Sequence, residues 1–129
     1  MLQMKFEFNI LTLDSGVSLK FNYVIREVLE IGETLVVRLG FPGASETMPH
    51  IDDGINAAVN RNIFAISKAD GKVLWQIATT NDANKYLDNP YAGMSLCEDG
   101  TLSVTAFFGT VLKLDPLTGR EIGPRGWTK

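Results

Sequence analysis

Cysteine, clustered basic residues and long apolar runs are nearly missing from this sequence, and each shortage excludes a class of protein. Cys97 is the only cysteine among 129 residues, so the chain cannot form an internal disulfide, which fits a reducing compartment. Lys and Arg are scattered singly and the formal net charge is −3. This balance disfavours nucleic acid and anionic membrane surfaces as partners.

Signals for secretion or membrane insertion are also lacking. No apolar run approaches the roughly 20 residues that a membrane span requires. The N-terminal segment alternates between apolar and polar side chains and includes Lys5 and Glu7. A signal peptide instead needs an uninterrupted apolar core followed by a small-residue cleavage site. These features predict a cytoplasmic protein.

Residues with catalytic or metal-binding chemistry are sparse as well. His50 is the only histidine, and although Asp52 and Asp53 follow it, adjacent carboxylates rarely face one ion together. Cys97 occurs in an apolar stretch, where a free cysteine usually behaves as a small core residue rather than as a nucleophile. A strand followed by a glycine-rich phosphate loop is also lacking. The sequence therefore predicts a protein that is not an enzyme and that has neither a cofactor nor a metal site.

Alternation of apolar and polar side chains is what the sequence does contain. A hydrophobic fraction of 45% and a charged fraction of 21% suit one globular domain over residues 1–129. Residues 17–31 are apolar at almost every second position and predict a long strand that bends near Glu27, and residues 34–41 continue the pattern after a turn. Turn signals separate further short apolar segments. We predict an all-β antiparallel sandwich or partly open barrel of about eight or nine short strands, with at most one short helix.

Two irregular segments interrupt the strands and are acidic. Residues 39–60 contain no Lys or Arg, and residues 79–100 contain Lys85 as their only basic residue. If both segments lie at one end of the domain, their carboxylates form a negative patch that attracts a basic partner. The alternative is that these loops are simply polar and solvated. The candidate partner-binding residues are Glu46, Asp52, Asp53, Asp82 and Asp88.

A strand–turn–strand unit occurs twice. Residues 64–75 align without gaps on residues 112–123, and in both copies a turn glycine, Gly71 or Gly119, precedes a basic residue. These glycines can adopt the positive φ that such a turn requires. The unit resembles the hairpin of quinoprotein-type β-propeller blades, but a propeller needs roughly four to eight blades. Because only two copies are present, the resemblance implies a hairpin rather than a propeller, and it implies no cofactor.

The two tryptophans have different sequence contexts. Trp75 lies in an apolar strand and is predicted to belong to the core. Trp127 lies in the polar C-terminal segment, where it either pins this segment to the sheet or is exposed as a binding anchor. We favour the first of these two roles for Trp127.

Several strand and turn motifs occur together in the C-terminal half. They are NIFAISKADGKVLWQI at residues 62–77, Tyr91-Ala92-Gly93, GTVLKLDPLTG at residues 109–119, and Gly126-Trp127-Thr128-Lys129. In this combination the chain resembles small bacterial immunity proteins encoded beside polymorphic toxins, including those of contact-dependent growth inhibition. The resemblance implies a cytosolic protein without enzymatic activity that binds the C-terminal domain of its cognate toxin, often a nuclease. It implies no particular contact residues, so the acidic candidates depend on loop charge alone. Nucleases tend to be basic, which suits acidic loops on an inhibitor.

Two further hypotheses stay open beside the immunity protein. A small-molecule-binding β barrel or sandwich, which includes the possibility of an enzyme, predicts an apolar internal pocket with convergent polar groups. A structural or oligomerisation module predicts a self-complementary apolar patch. The missing catalytic motifs and the family resemblance favour the immunity protein.

Overall fold

The fold consists of short strands joined by turns and two longer irregular segments. The computed structural model describes residues 4–42, 48–80 and 88–127. Within these residues eleven strands form three open antiparallel sheets, and the one helical element is a 3-10 turn at Val59–Arg61. The strands are β1 (Lys5–Glu7), β2 (Ile10–Thr12), β3 (Ser18–Lys20), β4 (Ile25–Ile31), β5 (Thr34–Leu39), β6 (Ile63–Ser67), β7 (Val73–Gln76), β8 (Tyr91–Leu96), β9 (Leu102–Ala106), β10 (Thr110–Leu114) and β11 (Gly126–Trp127). The all-β prediction is confirmed, although the strands are shorter and more numerous than the alternation indicated.

The N-terminal sheet has the order β1-β2-β3. The long strand predicted over residues 17–31 is divided into β3 and β4, which belong to different sheets. Asn22 lies at the break, and its buried side-chain amide bonds the backbone of Ala57 instead of facing solvent. The predicted bend near Glu27 is present as a register shift between β4 and β5 at Ile25 and Glu27.

The central sheet has the order β4-β5-β6-β7 and is buried on both faces. Leu35, Val36 and Val37 are consecutive in β5, point to alternate faces, and are all 0% exposed. One apolar cluster lies between this sheet and the N-terminal sheet, and a second lies between it and the C-terminal sheet. Complete burial of a Val or Leu side chain contributes about 1.5–3 kcal/mol to folding. The three sheets therefore form a stack that is held together mainly by the two faces of the central sheet.

The C-terminal sheet has the order β11-β10-β9-β8, and its outer face is polar. Ser95, Ser103 and Lys113 are cross-strand neighbours on this face. The outer face of the N-terminal sheet likewise carries Glu7 and Lys20. Both are cross-strand neighbours of Ile10, which lies on the same face. Polar residues on both outer faces suit contact with solvent, although Ile10 on the N-terminal sheet is 40% exposed.

The repeated hairpins hold neighbouring sheets together. Trp75, on the return strand of the first hairpin, donates its indole N–H to the Pro116 carbonyl at 2.9 Å. Its ring packs so closely on Gly119 of the second hairpin turn that an added Cβ there would lie 2.6 Å from the ring. Leu19 of the N-terminal sheet packs in a similar way on Gly71, the turn glycine of the first hairpin. The prediction that Trp75 belongs to the core is confirmed, and in both copies of the motif the turn glycine contacts a side chain from a neighbouring sheet.

Candidate functional site

The two irregular segments meet at one end of the sheet stack, which we call the loop end. There they line an open cleft of about 580 Å³. The lining combines apolar side chains with amide, hydroxyl and charged groups. It consists of Asn22, Met48, Pro49, His50, Asn56, Ala57, Ala58, Val59, Asn60, Arg61, Thr79 and Asp88. Described parts of both irregular segments therefore line one cleft, and the candidate Asp88 is among the lining residues.

Hydrogen bonds from asparagine side chains fix the backbone of the first irregular segment over residues 49–57. Asn22 donates from Nδ2 to the carbonyls of Pro49 and Ala57, at 2.8 and 2.9 Å, and accepts from the Ala57 N–H. Asn56 bonds both backbone groups of Ile51 and closes the turn between them. Both asparagines are on the cleft lining, so the backbone of this wall is fixed by local hydrogen bonds.

Asn62 connects the central sheet to the C-terminal sheet beneath the loop end. This residue is 0% exposed, and its Nδ2 donates to the carbonyls of Leu39 and Tyr91. Its Oδ1 accepts from the Tyr91 N–H at 2.9 Å. The Tyr91 hydroxyl in turn donates to the Ala78 carbonyl at 2.6 Å, so the start of β8 is tied to the segment that follows β7.

Asn89 connects the cleft to the turn between β9 and β10. Its backbone N–H donates to Oδ1 of Asn60, a cleft residue, at 2.8 Å. Its own Oδ1 accepts from the backbone N–H of Phe108 at 3.0 Å. The Phe107 N–H donates to the Pro90 carbonyl at 2.7 Å. Residues 89 and 90 therefore attach the backbone of Phe107 and Phe108 to the segment that begins at Asp88, a residue of the cleft lining.

Phe41, Phe107 and Phe108 form an aromatic surface at the loop end. The Phe107 ring centroid lies 5.8 Å from that of Phe41 and 5.2 Å from that of Phe108, with nearly perpendicular planes. Phe107 is 58% exposed and Phe108 is 46% exposed. Large exposed aromatics that touch one another are typical of protein interaction sites rather than of ordinary surface.

The sequence contained a signal for this surface that the alternation analysis missed. Phe107 and Phe108 are adjacent, and side chains of adjacent strand residues point to opposite faces. Gly109 follows immediately and has a φ of 102°, so the chain turns here instead of continuing as a buried strand. An aromatic pair at a turn therefore indicates exposed rings.

Trp127 adds a further exposed aromatic close to this surface. It pairs with Thr110, the first residue of β10, through the short strand β11. Its side chain is nevertheless 72% exposed. Backbone pairing thus attaches the C-terminal segment to the sheet, while the indole ring is exposed to solvent. The prediction that Trp127 pins this segment to the sheet is therefore correct for its backbone and wrong for its side chain.

The acidic candidates have different positions relative to the cleft. Asp88 lines the cleft. Asp52 and Asp53 lie on the exposed turn that follows His50, and the Asp52 carboxylate is 3.7 Å from the His50 imidazole. Glu46 and Asp82 lie outside the described residues.

Two arginines near the cleft, Arg61 and Arg125, make hydrogen bonds or ion pairs with other residues of the chain. Arg61 belongs to the lining, and its Nε donates to the Ile77 carbonyl at 3.0 Å. Arg125 donates to the Thr80 carbonyl at 2.6 Å and forms an ion pair with Glu121. The Arg125 guanidinium lowers the pKa of the Glu121 carboxyl by hydrogen bonding to it. The cleft lining is therefore of mixed charge, since it contains both Arg61 and Asp88.

Metal-binding and nucleophilic groups do not converge in the part of the chain that the structure describes. No group of three His, Cys, Asp or Glu side chains is placed there to hold a metal ion. Cys97 is only partly buried and follows the end of β8 that lies away from the cleft.

No helix among the described residues has the length and apolar character needed to cross a bilayer.

The fold and the loop end define a small all-β protein of three stacked antiparallel sheets with an exposed aromatic and acidic end. The chain belongs to the family described as Domain of unknown function (DUF7957), which it matches over residues 1–124. No curated protein and no solved structure matches the chain significantly.

Proposed function

We propose that this protein binds another protein at its loop end and thereby neutralises it, as bacterial immunity proteins do with the toxins encoded beside them. The observation that carries the proposal is the presence, in the same part of the molecule, of the exposed rings of Phe107 and Phe108 and of exposed aspartates. The proposal includes action in the bacterial cytoplasm, no catalytic activity, and a toxin C-terminal domain as the partner.

Aromatic anchors and carboxylates contribute to binding in different ways. Phe side chains supply apolar area that a partner covers, and such residues are enriched at the centre of interfaces. Asp52, Asp53 and Asp88 supply negative charge that accelerates encounter with a basic partner. A net charge of −3 acts in the same direction over longer distances. A basic toxin such as a nuclease is the partner that these features suit best.

Growth rescue is the experiment that tests the function. The chain is co-expressed with the toxin domain encoded next to its gene, and we expect growth to be restored. The variant Asp52→Lys/Asp53→Lys/Asp88→Lys should slow association and weaken rescue at low expression, whereas Leu117→Ala, which shortens an exposed side chain on the 115–119 turn, should rescue fully. Rescue by both variants would support the immunity function but would show that these three aspartates do not form the binding site. No rescue and no complex with the purified toxin domain would refute the proposal.

The cleft favours a second candidate function, which is small-molecule binding. Its volume of about 580 Å³ is within the usual range for ligand sites, and apolar Met48 and Val59 lie near polar Asn60 and Arg61. Native mass spectrometry of the protein purified from cells tests this candidate. A bound molecule that is lost in Val59→Trp would favour it over the immunity function.

A further inference from the structure

The free edge of the N-terminal sheet carries an aromatic side chain that the sheet covers only in part. β1 is the edge strand of this sheet, and all three of its residues are exposed. Phe6 faces inwards, because its cross-strand neighbour is Leu11, which is 0% exposed. Phe6 is nevertheless 42% exposed, since in the described part of the chain no strand lies on the other side of β1. A strand added at this edge would cover the ring.

The backbone of Phe6 also points toward the open edge. β1 and β2 are joined by a turn of only two residues, so the flanking Glu7 and Ile10 exchange backbone hydrogen bonds. Hydrogen-bonded and non-hydrogen-bonded pairs alternate along an antiparallel ladder, so Phe6 and Leu11 form a non-hydrogen-bonded pair. The N–H and the carbonyl of Phe6 therefore point away from β2, where an added strand can bond to both of them.

The charges on β1 are complementary to those of a second copy of the same strand. Lys5 and Glu7 flank Phe6 on the outer face, and among the described residues neither forms an ion pair. If two copies pair antiparallel with their Phe6 residues opposite each other, Lys5 of each copy lies opposite Glu7 of the other. Opposite charges at such positions stabilise pairing and like charges destabilise it. A register shift of two residues would bring two Lys5 or two Glu7 side chains together, so the charges select one register.

We propose that a second copy of this chain pairs antiparallel with β1, so that the N-terminal sheets of two copies become one continuous sheet. The two Phe6 residues form a hydrogen-bonded pair at the two-fold axis, and their rings pack on each other on the inner face. Two Lys5–Glu7 ion pairs form on the outer face. The inference does not depend on the proposed function, because β1 contains none of the aspartates or aromatic residues assigned to the loop end.

Sedimentation equilibrium of the purified full chain at increasing concentrations tests the pairing. We expect the mass to rise toward twice that of the monomer, and the Phe6 amide to become protected from hydrogen exchange over the same range. Lys5→Glu places like charges opposite each other at both ion pairs of the dimer, and so does Glu7→Lys. Each variant alone should raise the dissociation constant of the dimer by about tenfold or more.

Mixing the two variants tests the register. In a complex of one Lys5→Glu chain with one Glu7→Lys chain, both cross-strand pairs again have opposite charges. An equimolar mixture should therefore recover the affinity of the parent. Lys113→Glu is the matched control, because Lys113 is an exposed lysine in β10 of the C-terminal sheet and its reversal changes the net charge equally. The control should leave the dissociation constant unchanged, and a dispersed amide spectrum shows that each variant is folded.

Several outcomes would overturn the inference. A parent chain that stays monomeric up to millimolar concentration would exclude a second copy as the occupant of this edge. A dimer that both reversals leave intact, or that the mixture of variants does not restore, would use another surface. An equal loss of affinity in Lys113→Glu would reduce the effect to net charge. Because the assay contains no toxin, each of these results leaves the growth-rescue test of the proposed function independent.

Discussion

The buried side-chain amide of Asn62 connects the central sheet to the C-terminal sheet. The strands of these two sheets do not pair with each other, so the amide supplies hydrogen bonds between them. The Asn62 side chain is hydrogen-bonded to Leu39 and to both backbone groups of Tyr91. Buried backbone groups that lose such partners cost about 1–3 kcal/mol each. The residue therefore stabilises the base of the loop end more than its small size suggests.

Replacing Asn62 with Ala should lower the free energy of unfolding by about 3 kcal/mol, because it removes three buried hydrogen bonds to the backbone of Leu39 and Tyr91. Asn56→Ala is the control, since Asn56 also makes two side-chain hydrogen bonds to backbone but is exposed to water. We expect a loss of about 1 kcal/mol or less for the control. Urea unfolding measures both values. Similar losses in the two variants would show that burial of the Asn62 amide is not the reason for its contribution.

Hairpin turns are the elements that connect the sheets. The first hairpin contributes Trp75 to the turn of the second, and its own turn receives Leu19. Two different constraints act on the turn glycine of the second hairpin. Gly119 has a φ of 75°, which disfavours other residues, and the Trp75 indole would lie only 2.6 Å from a Cβ added there.

Gly119→Ala should therefore destabilise the protein through both constraints. Gly100→Ala is the matched control, because Gly100 has a φ of 87° but no atom within 4 Å of an added Cβ. We expect the control to lose about 1–2 kcal/mol from backbone strain, and Gly119→Ala to lose about 1–3 kcal/mol more, because the new methyl group displaces the indole. Thermal or urea unfolding of the two variants gives the difference. Equal destabilisation would mean that the indole contact does not contribute.

Across the whole molecule, several carboxylates are stabilised in their charged form. Hydrogen bonds from Thr101 lower the pKa of Asp99, the Lys72 N–H lowers the pKa of Asp70, and Arg125 lowers the pKa of Glu121. A carboxyl whose pKa is lower in the folded state stabilises the fold above its unfolded pKa. That contribution is lost as the pH falls through the folded value.

The free energy of unfolding should therefore decrease as the pH falls below about 4.5, since the ordinary pKa values of these groups are 3.8 for aspartate and 4.5 for glutamate. Asp99→Asn should be less stable than the parent at pH 7, and the difference should shrink as the pH falls, because protonation of the parent Asp99 removes the contribution of its charged form. Urea unfolding at pH 7, 5, 4 and 3 checks the trend. A difference that stays constant over this range would contradict the role given to Asp99.

The alternation in the sequence predicted the strand content well because burial of one sheet face imposes a period of two. It was less successful for the strand over residues 17–31, because the hydrogen bonds of Asn22 that end pairing there go to residues 49 and 57, far away in sequence. It also underestimated the burial of β5, since a strand in a central sheet loses solvent on both faces.

The candidate site was predictable in part. Loop composition identified five acidic residues as candidates for partner binding. Of these, the structure places Asp88 in the cleft lining and Asp52 and Asp53 on an exposed turn, and Glu46 and Asp82 lie outside the described residues. The aromatic surface was not predicted, because Phe41 lies more than sixty positions from Phe107 and Phe108 and joins them only through the packing of two sheets. Whether these residues bind a partner stays a prediction for the experiments described above.

By itself, the sequence determined the all-β class, the turn positions, the core role of Trp75 and the absence of an internal disulfide, because each depends on local chemistry or on a simple periodicity. The tertiary structure alone decided the three-sheet stack, the docking of Trp75 on Gly119, and the contact of Phe41 with Phe107. These features depend on contacts between residues distant in the chain, and no local pattern contains that information.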